Sequence, residues 1–508
     1  MVKAYRNPIL PGFYPDPSIC RVGEDFYMVT SSFEYFPGIP IFHSRDLVHW
    51  EQLGHCLTKE SQLPLDGVEC SGGIWAPTIR WHNGTFYVTS TNVSLGGNFY
   101  VTASNPAGEW SEPVHVAMAG IDPSFTFDES KAYYMTNQAS ADGTAGISMA
   151  EINPETGELL SDIRFLWAGS GGRAQEAPHL YHIGKWYYLM IAEGGTQFTH
   201  METIARSKSI WGPYEACPRN PILSGVSALG DVHCPGHGDL VEDLQGNWWM
   251  VHLGIRISRK YMSHLGRETF LSPVTWDCEG WPIVNGSKYV DTAAHGPLPA
   301  DYPLPVENEC DDFESEILSF FWNTLRGVCS NGWSLTDRKG WLTLYGNEYC
   351  PDDTASMAFV GRRQRYFDCT METSMEFNPQ RDNEEAGILL LLSNDFYYKF
   401  CKRIVEGVPC LLLEKRAEDF RQTAGCVQIP EGEITLRVYA DREKYVFTFS
   451  THDAKETNVA AASTRFLACE VAGRSFTGVY AGMYTTGNGT NSTAPAYFDY
   501  FKLSIDKK

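Results

Sequence analysis

An aromatic pair inside a strand-like run, preceded ten to twelve positions earlier by a conspicuous residue, recurs five times in the first half of the chain. Pro15-Asp16-Pro17-Ser18 precedes Phe26-Tyr27, Ala76-Pro77 precedes Phe86-Tyr87, and Asp122-Pro123-Ser124 precedes Tyr133-Tyr134. Glu176-Ala177-Pro178 precedes Tyr187-Tyr188, and His237-Gly238 precedes Trp248-Trp249. Tyr27, Tyr87, Tyr134, Tyr188 and Trp249 are separated by intervals of 60, 47, 54 and 61 residues. Strand-rich repeats at such a period read as the blades of a five-bladed β-propeller. A propeller gathers equivalent positions of its innermost strands around one axis. Asp16, Asp122 and Glu176 would therefore meet there, with Trp75 or Ala76 and His237 completing the ring.

The repeats occupy residues 1–295. Turn-rich connectors such as Asn83-Gly84, Pro154-Glu155-Thr156-Gly157 and Trp211-Gly212-Pro213 separate strands. Runs such as Phe42-His43-Ser44 and Ile204-Ala205-Arg206-Ser207 read as outer strands, each followed by a Trp-containing turn. Residues 296–310 carry four prolines in the stretch Gly296 to Pro305 and read as a stiff linker. From Asp311 to Lys508 alternating strands such as Cys369–Met375, Ala386–Leu391, Ile434–Val438 and Tyr445–Phe449 indicate a β-sandwich. The expected class is all-β.

Composition narrows the partners. The net charge of −22 over 508 residues argues against nucleic acid and anionic membranes. No apolar run reaches 18 residues, so no membrane span is expected. The fourteen cysteines are irregularly spaced and form no Cys-x-x-Cys pair. With no apolar leader in Met1–Arg6, the expectation is a cytoplasmic protein with reduced thiols. There is no Walker loop, no Gly-x-Gly-x-x-Gly opening a helix, no His-Glu-x-x-His and no Gly-x-Ser-x-Gly.

Two carboxylates facing each other across a pocket can hydrolyse a glycosidic bond. One protonates the leaving oxygen, and the other activates water or attacks the sugar. An Asp before Pro is also a common turn element, so any one of these acids alone is weak evidence. Three acids at blade-equivalent positions are stronger.

The chain resembles glycoside hydrolase family 43, and within it the two-domain β-xylosidases. The resemblance rests on Asn7–Ser18, Thr30–Gly38, Gly73-Ile74-Trp75-Ala76-Pro77, Gly120–Ser124 and Glu176–Leu180. It continues through Glu193–Thr196, Pro235-Gly236-His237, Leu265–Phe270 and Asp311-Asp312-Phe313 in the second domain. It implies a concanavalin-like jelly roll for that domain. It also implies that Asp16 is the general base, Glu176 the general acid, and Asp122 a third carboxylate that raises the acid's pKa and holds it in place. Family members invert, which sets base and acid about 6.5–9.5 Å apart.

The resemblance further implies substrate contacts from Phe33, Trp75, Arg267 and His237. Trp75 and Phe33 would be apolar sugar-facing walls, Arg267 a hydrogen-bonding counter-charge, and His237 an axial residue. His179 and His200 read as core or supporting histidines. No cofactor is required. A calcium ion near the propeller axis, held mostly by water beside His237, is compatible but not needed, because calcium prefers oxygen ligands.

The implied activity is exo-acting, inverting release of terminal β-D-xylose from xylo-oligosaccharides, with α-L-arabinofuranosidase as the near alternative. A non-catalytic sugar-binding propeller is the remote one. The sandwich is expected to narrow the pocket rather than to bind polymer independently. A homo-oligomer is left open.

Overall fold

In the computed structural model of the chain, residues 2–226, 230–258, 262–302, 304, 309–329, 331–451, 455–473 and 476–505 are described. Five four-stranded antiparallel sheets follow one another in sequence. The first runs Ser18–Val22, Asp25–Val29, Gly38–Ser44 and Glu51–Leu57. The second holds Thr78–His82, Thr85–Asn92, Gly97–Ala103 and Val114–His115. The third holds Ser124–Asp128, Lys131–Thr136, Ile147–Ile152 and Arg164–Trp167. The fourth holds Glu176–Ile183, Trp186–Glu193, Met201–Ser207 and Glu215–Ala216, with Leu223–Ser224 added at the end of its third strand. The fifth holds Val232–Glu242, Trp248–Arg256, Glu268–Trp276 and Pro282–Val284. The first strand of each sheet packs on the first strand of the next, and the fifth returns to the first. The sheets thus form a closed propeller ring. Lys3–Arg6 pairs with Ala293–Gly296 and ties its two ends together.

The aromatic pairs lie in the second strand of every blade, and strand geometry explains them. Successive side chains point to opposite faces, so each pair sends one ring toward the preceding blade and one toward the following. Tyr134 packs with Tyr100 and Phe125 between the second and third blades, and Tyr133 with Met149 and Leu189 between the third and fourth. Phe86 and Tyr87, Tyr187 and Tyr188, and Trp248 and Trp249 divide in the same way. The propeller therefore has five inter-blade cores rather than one, each an apolar slab between two twisted sheets. The runs read as outer strands are the third strands, Gly38–Ser44 and Met201–Ser207, the first covered by the seven-residue Glu51–Leu57 and the second by the two-residue Glu215–Ala216. The turns after them hide this outermost strand from sequence, because it is only two residues long in the second and fourth blades.

Two further antiparallel sheets form the sandwich. One has eight strands, among them Cys369–Phe377, Ile434–Ala440, Lys444–Thr451 and Ala496–Ile505. The other has six, among them Glu385–Ser393, Phe396–Val405, Val408–Ala417 and Tyr480–Thr486. Residues 303 and 305–308 of the expected linker lie outside the described residues.

The second sheet packs its outer face on the propeller. Phe13, Phe33 and Tyr35 join Leu389, Leu391, Tyr397, Tyr480 and Tyr484 in one apolar cluster. Tyr35 and Tyr480 stack with ring centroids 3.7 Å apart. Tyr35–Phe36 pairs with Thr324–Leu325, so a short sheet is shared between the domains.

Candidate active site

The axial ends of the blades open into a cavity of about 290 Å³, and all seven residues singled out from sequence line it. Asp16, Asp122 and His237 sit at the same place in their blades, one residue before Pro17, Pro123 and Gly238, with φ of 56°, 52° and 52°. This left-handed conformation is unusual for a non-glycine residue and collects at functional sites. It turns the carboxylates inward before the strand begins.

In the fourth blade the residue at that position is Ala177, φ 53°, and the acid Glu176 stands one residue earlier. The strand carries a one-residue bulge there, as the fifth blade does between Gly236 and Asp239. Glu176 pairs with Ala192 but His179 with Met190, so Ala177 and Pro178 on one strand face Ile191 alone on the other. Bulges re-aim side chains, and this one brings Glu176 to the same pocket as the two aspartates.

Asp16, 3% exposed, is held by three groups. The Arg267 guanidinium approaches its two oxygens at 2.6 and 3.4 Å. Ser31 Oγ donates to it at 2.5 Å, and His237 Nδ1 lies 3.6 Å away. Burial opposes ionisation, but Arg267, then His237 and Ser31, hold its pKa below the usual carboxylate range. Glu176 behaves oppositely. Burial first, then the charge of Asp16, pushes its pKa up to about 7, against the opposing pull of Arg267 and Arg173.

Asp122, 6% exposed, is raised well above the ordinary range by burial and by the charges of Glu176 and Asp16. Its counterweights are Arg267 and the Ala177 N–H. Burial and the mutual repulsion of Asp122 and Glu176 disfavour ionising both carboxyls at once. Asp122 is itself pushed up, and because the repulsion between it and Glu176 is mutual, it adds to burial and Asp16 in disfavouring ionisation of the pair.

The walls are aromatic. Phe33, Trp75 and Phe476 enclose the pocket, with Phe476 6.2 Å from Phe33 and 5.5 Å from Trp75 between ring centroids. Phe476 comes from the sandwich, and no sequence signal links it to a pocket built more than 200 residues earlier. Its N–H donates to Ser71 Oγ at 2.9 Å, and its carbonyl accepts from Arg267. Ser71 also accepts the Trp75 indole N–H at 2.9 Å, so one residue fixes two walls. Thr196, Gln197 and Arg173 line the rim and were not singled out from sequence. Glu193–Thr196 carries part of the resemblance, which is the signal that reaches Thr196.

Beneath the acids the axis is filled by an ion-paired network. Asp239 accepts from Arg80, Ser18 and Tyr181, and Arg80 also bonds His179 at 2.8 Å. His179 is therefore a core residue. His200 donates from Nδ1 to the Cys234 carbonyl. Burial pushes the His237 imidazole pKa down, which favours a neutral ring beside Asp16. Among the described residues no cluster of three or more His, Cys, Asp or Glu is arranged to hold a metal. Both oxygens of Asp239 are engaged, and His237 shares its surroundings with the Arg267 cation. These residues do not fit a directly ligated calcium ion.

Residues 5–282 match glycosyl hydrolases family 43, and residues 310–504 match the β-xylosidase C-terminal concanavalin A-like domain. The chain is 43% identical to a non-reducing end α-L-arabinofuranosidase of Bacteroides ovatus, over 98% of this chain and 94% of that protein. It is 37% identical to a xylosidase/arabinosidase of Butyrivibrio fibrisolvens, over 99% of both. The solved structure of the Bacteroides ovatus xyloglucan PUL GH43B superposes with a TM-score of 0.95 at 42% identity, covering 99% of this chain and 100% of the other. With both domains matched in order, the chain belongs to glycosyl hydrolase family 43.

Proposed function

We propose that the protein is an exo-acting, inverting glycosidase that removes one terminal pentose from an oligosaccharide. The observation that carries this reading is the opposite protonation of two acids in one pocket. Asp16 is held ionised by Arg267, and Glu176 is held protonated up to about pH 7. A base and an acid ready at the same pH are what single displacement needs. Asp16 takes a proton from water as that water attacks the anomeric carbon. Glu176 gives its proton to the glycosidic oxygen as the bond to the leaving group breaks. Proton exchange with solvent resets both. Arg267 keeps Asp16 anionic before the step and bonds sugar hydroxyls, and Asp122 supports the Glu176 loop through the Ala177 N–H.

Exo action is supported by size and enclosure. About 290 Å³ is at the lower end of small-ligand sites, and three aromatic rings wall it. Terminal β-D-xylose is one substrate. Terminal α-L-arabinofuranose is a second reading of equal standing, favoured by the 43% identity to an arabinofuranosidase. The two sugars present similar hydroxyl geometry at the scissile carbon.

Parallel kinetics on nitrophenyl β-D-xyloside and nitrophenyl α-L-arabinofuranoside test the reading. Turnover of either supports it, and the ratio sets the specificity. No turnover of either, with sugar binding retained, would leave a non-catalytic propeller instead. In the same proposal the enzyme acts on imported oligosaccharides in the cytoplasm, where thiols stay reduced. Activity recovered only outside the cell would remove that part.

A further inference from the structure

The pocket is graded from inside to outside. Asp16, Asp122, His237 and Arg267 are buried at its base, whereas Arg173 and Gln197 are exposed at its mouth, with the half-buried Glu176 between. The two mouth residues belong to different loops that are latched together. Arg173 Nε donates to the Gly194 carbonyl at 3.2 Å and Nη2 to Gln197 Oε1 at 3.0 Å, while Gly194 N–H returns to the Arg173 carbonyl at 2.7 Å.

Each loop is anchored from below. The fully buried Glu193 accepts the N–H groups of Ser170 and Gly172 and the Thr203 hydroxyl at 2.8–3.1 Å. Gly194 has φ 93°, and a Cβ there would stand 1.9 Å from the Thr199 carbonyl oxygen, so the tight turn admits only glycine. Arg173 is thus a surface side chain with a fixed backbone and two of its donors already spent on holding position.

What remains points outward. Arg173 Nη1 and Gln197 Nε2 bond no other described residue, and the Gln197 acceptor is used by Arg173. The mouth therefore presents N–H donors to whatever lies beyond Glu176. The group beyond the acid in a glycosidase is the leaving group, and a sugar leaving group offers hydroxyl and ring oxygens that match donors. An aryl leaving group offers few.

We propose that Arg173 and Gln197 form the seat of the leaving-group sugar and set the preference for saccharide over aryl leaving groups. This rests on the reading of the pocket as a glycosidase site. Arg173 is one of the two cations that hold the Glu176 pKa down, so its removal also has a signature at the acid.

The test is steady-state kinetics of the full-length parent, Arg173→Met, Arg173→Lys and Gln197→Ala. The substrates are a disaccharide and a nitrophenyl glycoside of the same terminal pentose, assayed across pH. Both side chains are exposed, so the variants fold. For Arg173→Met, the ratio of disaccharide KM to aryl KM rises about tenfold, the usual worth of a hydrogen bond to a charged group. The alkaline limb of kcat/KM moves upward on both substrates. Gln197→Ala raises the ratio less and leaves the limb near the parent's. Arg173→Lys restores the limb, because charge is kept, but not the ratio, because the planar fork is lost.

Ratios within twofold of the parent in both Arg173→Met and Gln197→Ala, in a parent that cleaves both substrates, overturn this inference alone. A parent that cleaves no pentoside removes the functional reading and this inference with it.

Discussion

Removing the Glu176 carboxyl separates acid from base, and the size of the effect follows from its environment. With the pKa near 7, the proton is in place on nearly all molecules at pH 6 and on about one in a hundred at pH 9. A sugar alkoxide leaves only with that proton. The parent's kcat/KM on xylobiose therefore falls about a hundredfold from plateau to pH 9. A nitrophenolate needs little help, so its alkaline limb is shallower. Glu176→Ala loses about 10²–10⁴-fold on xylobiose and about tenfold or less on nitrophenyl xyloside. Its remaining rate is flat from pH 6 to 9, since the titrating group is gone. Asp16→Ala loses activity on both substrates alike, because no leaving group replaces an activated water. Stopped assays by chromatography with several pH values give the whole comparison. If Glu176→Ala harms both substrates equally while Asp16→Ala discriminates, the two roles are reversed. If neither discriminates, the catalytic pair lies elsewhere in the pocket.

Three other outcomes follow from the same geometry. Arg267→Met strands a buried carboxylate, which costs about 3–5 kcal/mol of propeller stability in denaturant titration. In the parent the Asp16 pKa is lowered, so its contribution is present above the unfolded value and lost as pH falls through the folded one. In the variant burial raises it, the sign reverses, and the deficit shrinks from pH 7 to pH 5; a deficit that grows on acidification would refute the pairing. Asp122→Asn lowers kcat and draws in the alkaline limb, because it removes a buried carboxyl whose charge and that of Glu176 repel each other; a limb unchanged from the parent's would leave burial and Asp16 alone as what raises Glu176. Phe476→Ala raises KM about tenfold for both nitrophenyl glycosides, from roughly 1–2 kcal/mol of lost apolar contact; an unchanged KM would separate the sandwich from the site.

The blades were legible because each aromatic pair reports on both faces of a strand buried between neighbours. Tyr133 and Tyr134 each fill a different inter-blade core, so the pair repeats wherever a blade repeats. Asp16 and Asp122 were legible for the same reason, standing one residue before a proline at equivalent positions. Glu176 was found, but its displacement by one residue was not, since a bulge is a matter of pairing and leaves no mark in composition. Phe476 reaches the pocket through domain packing alone. Arg173 lies in a glycine-rich loop whose shape is imposed by the buried Glu193, and nothing periodic announces it.

Everything above turns on single displacement at a terminal pentose by Asp16 and Glu176. It is tested most directly by following xylobiose cleavage with proton NMR from the first minutes, before mutarotation equalises the anomers. With inversion, α-xylose appears first, released from the non-reducing end only. A β-anomer formed first would mean a retaining reaction through a covalent intermediate and a close-set carboxylate pair, and would contradict it.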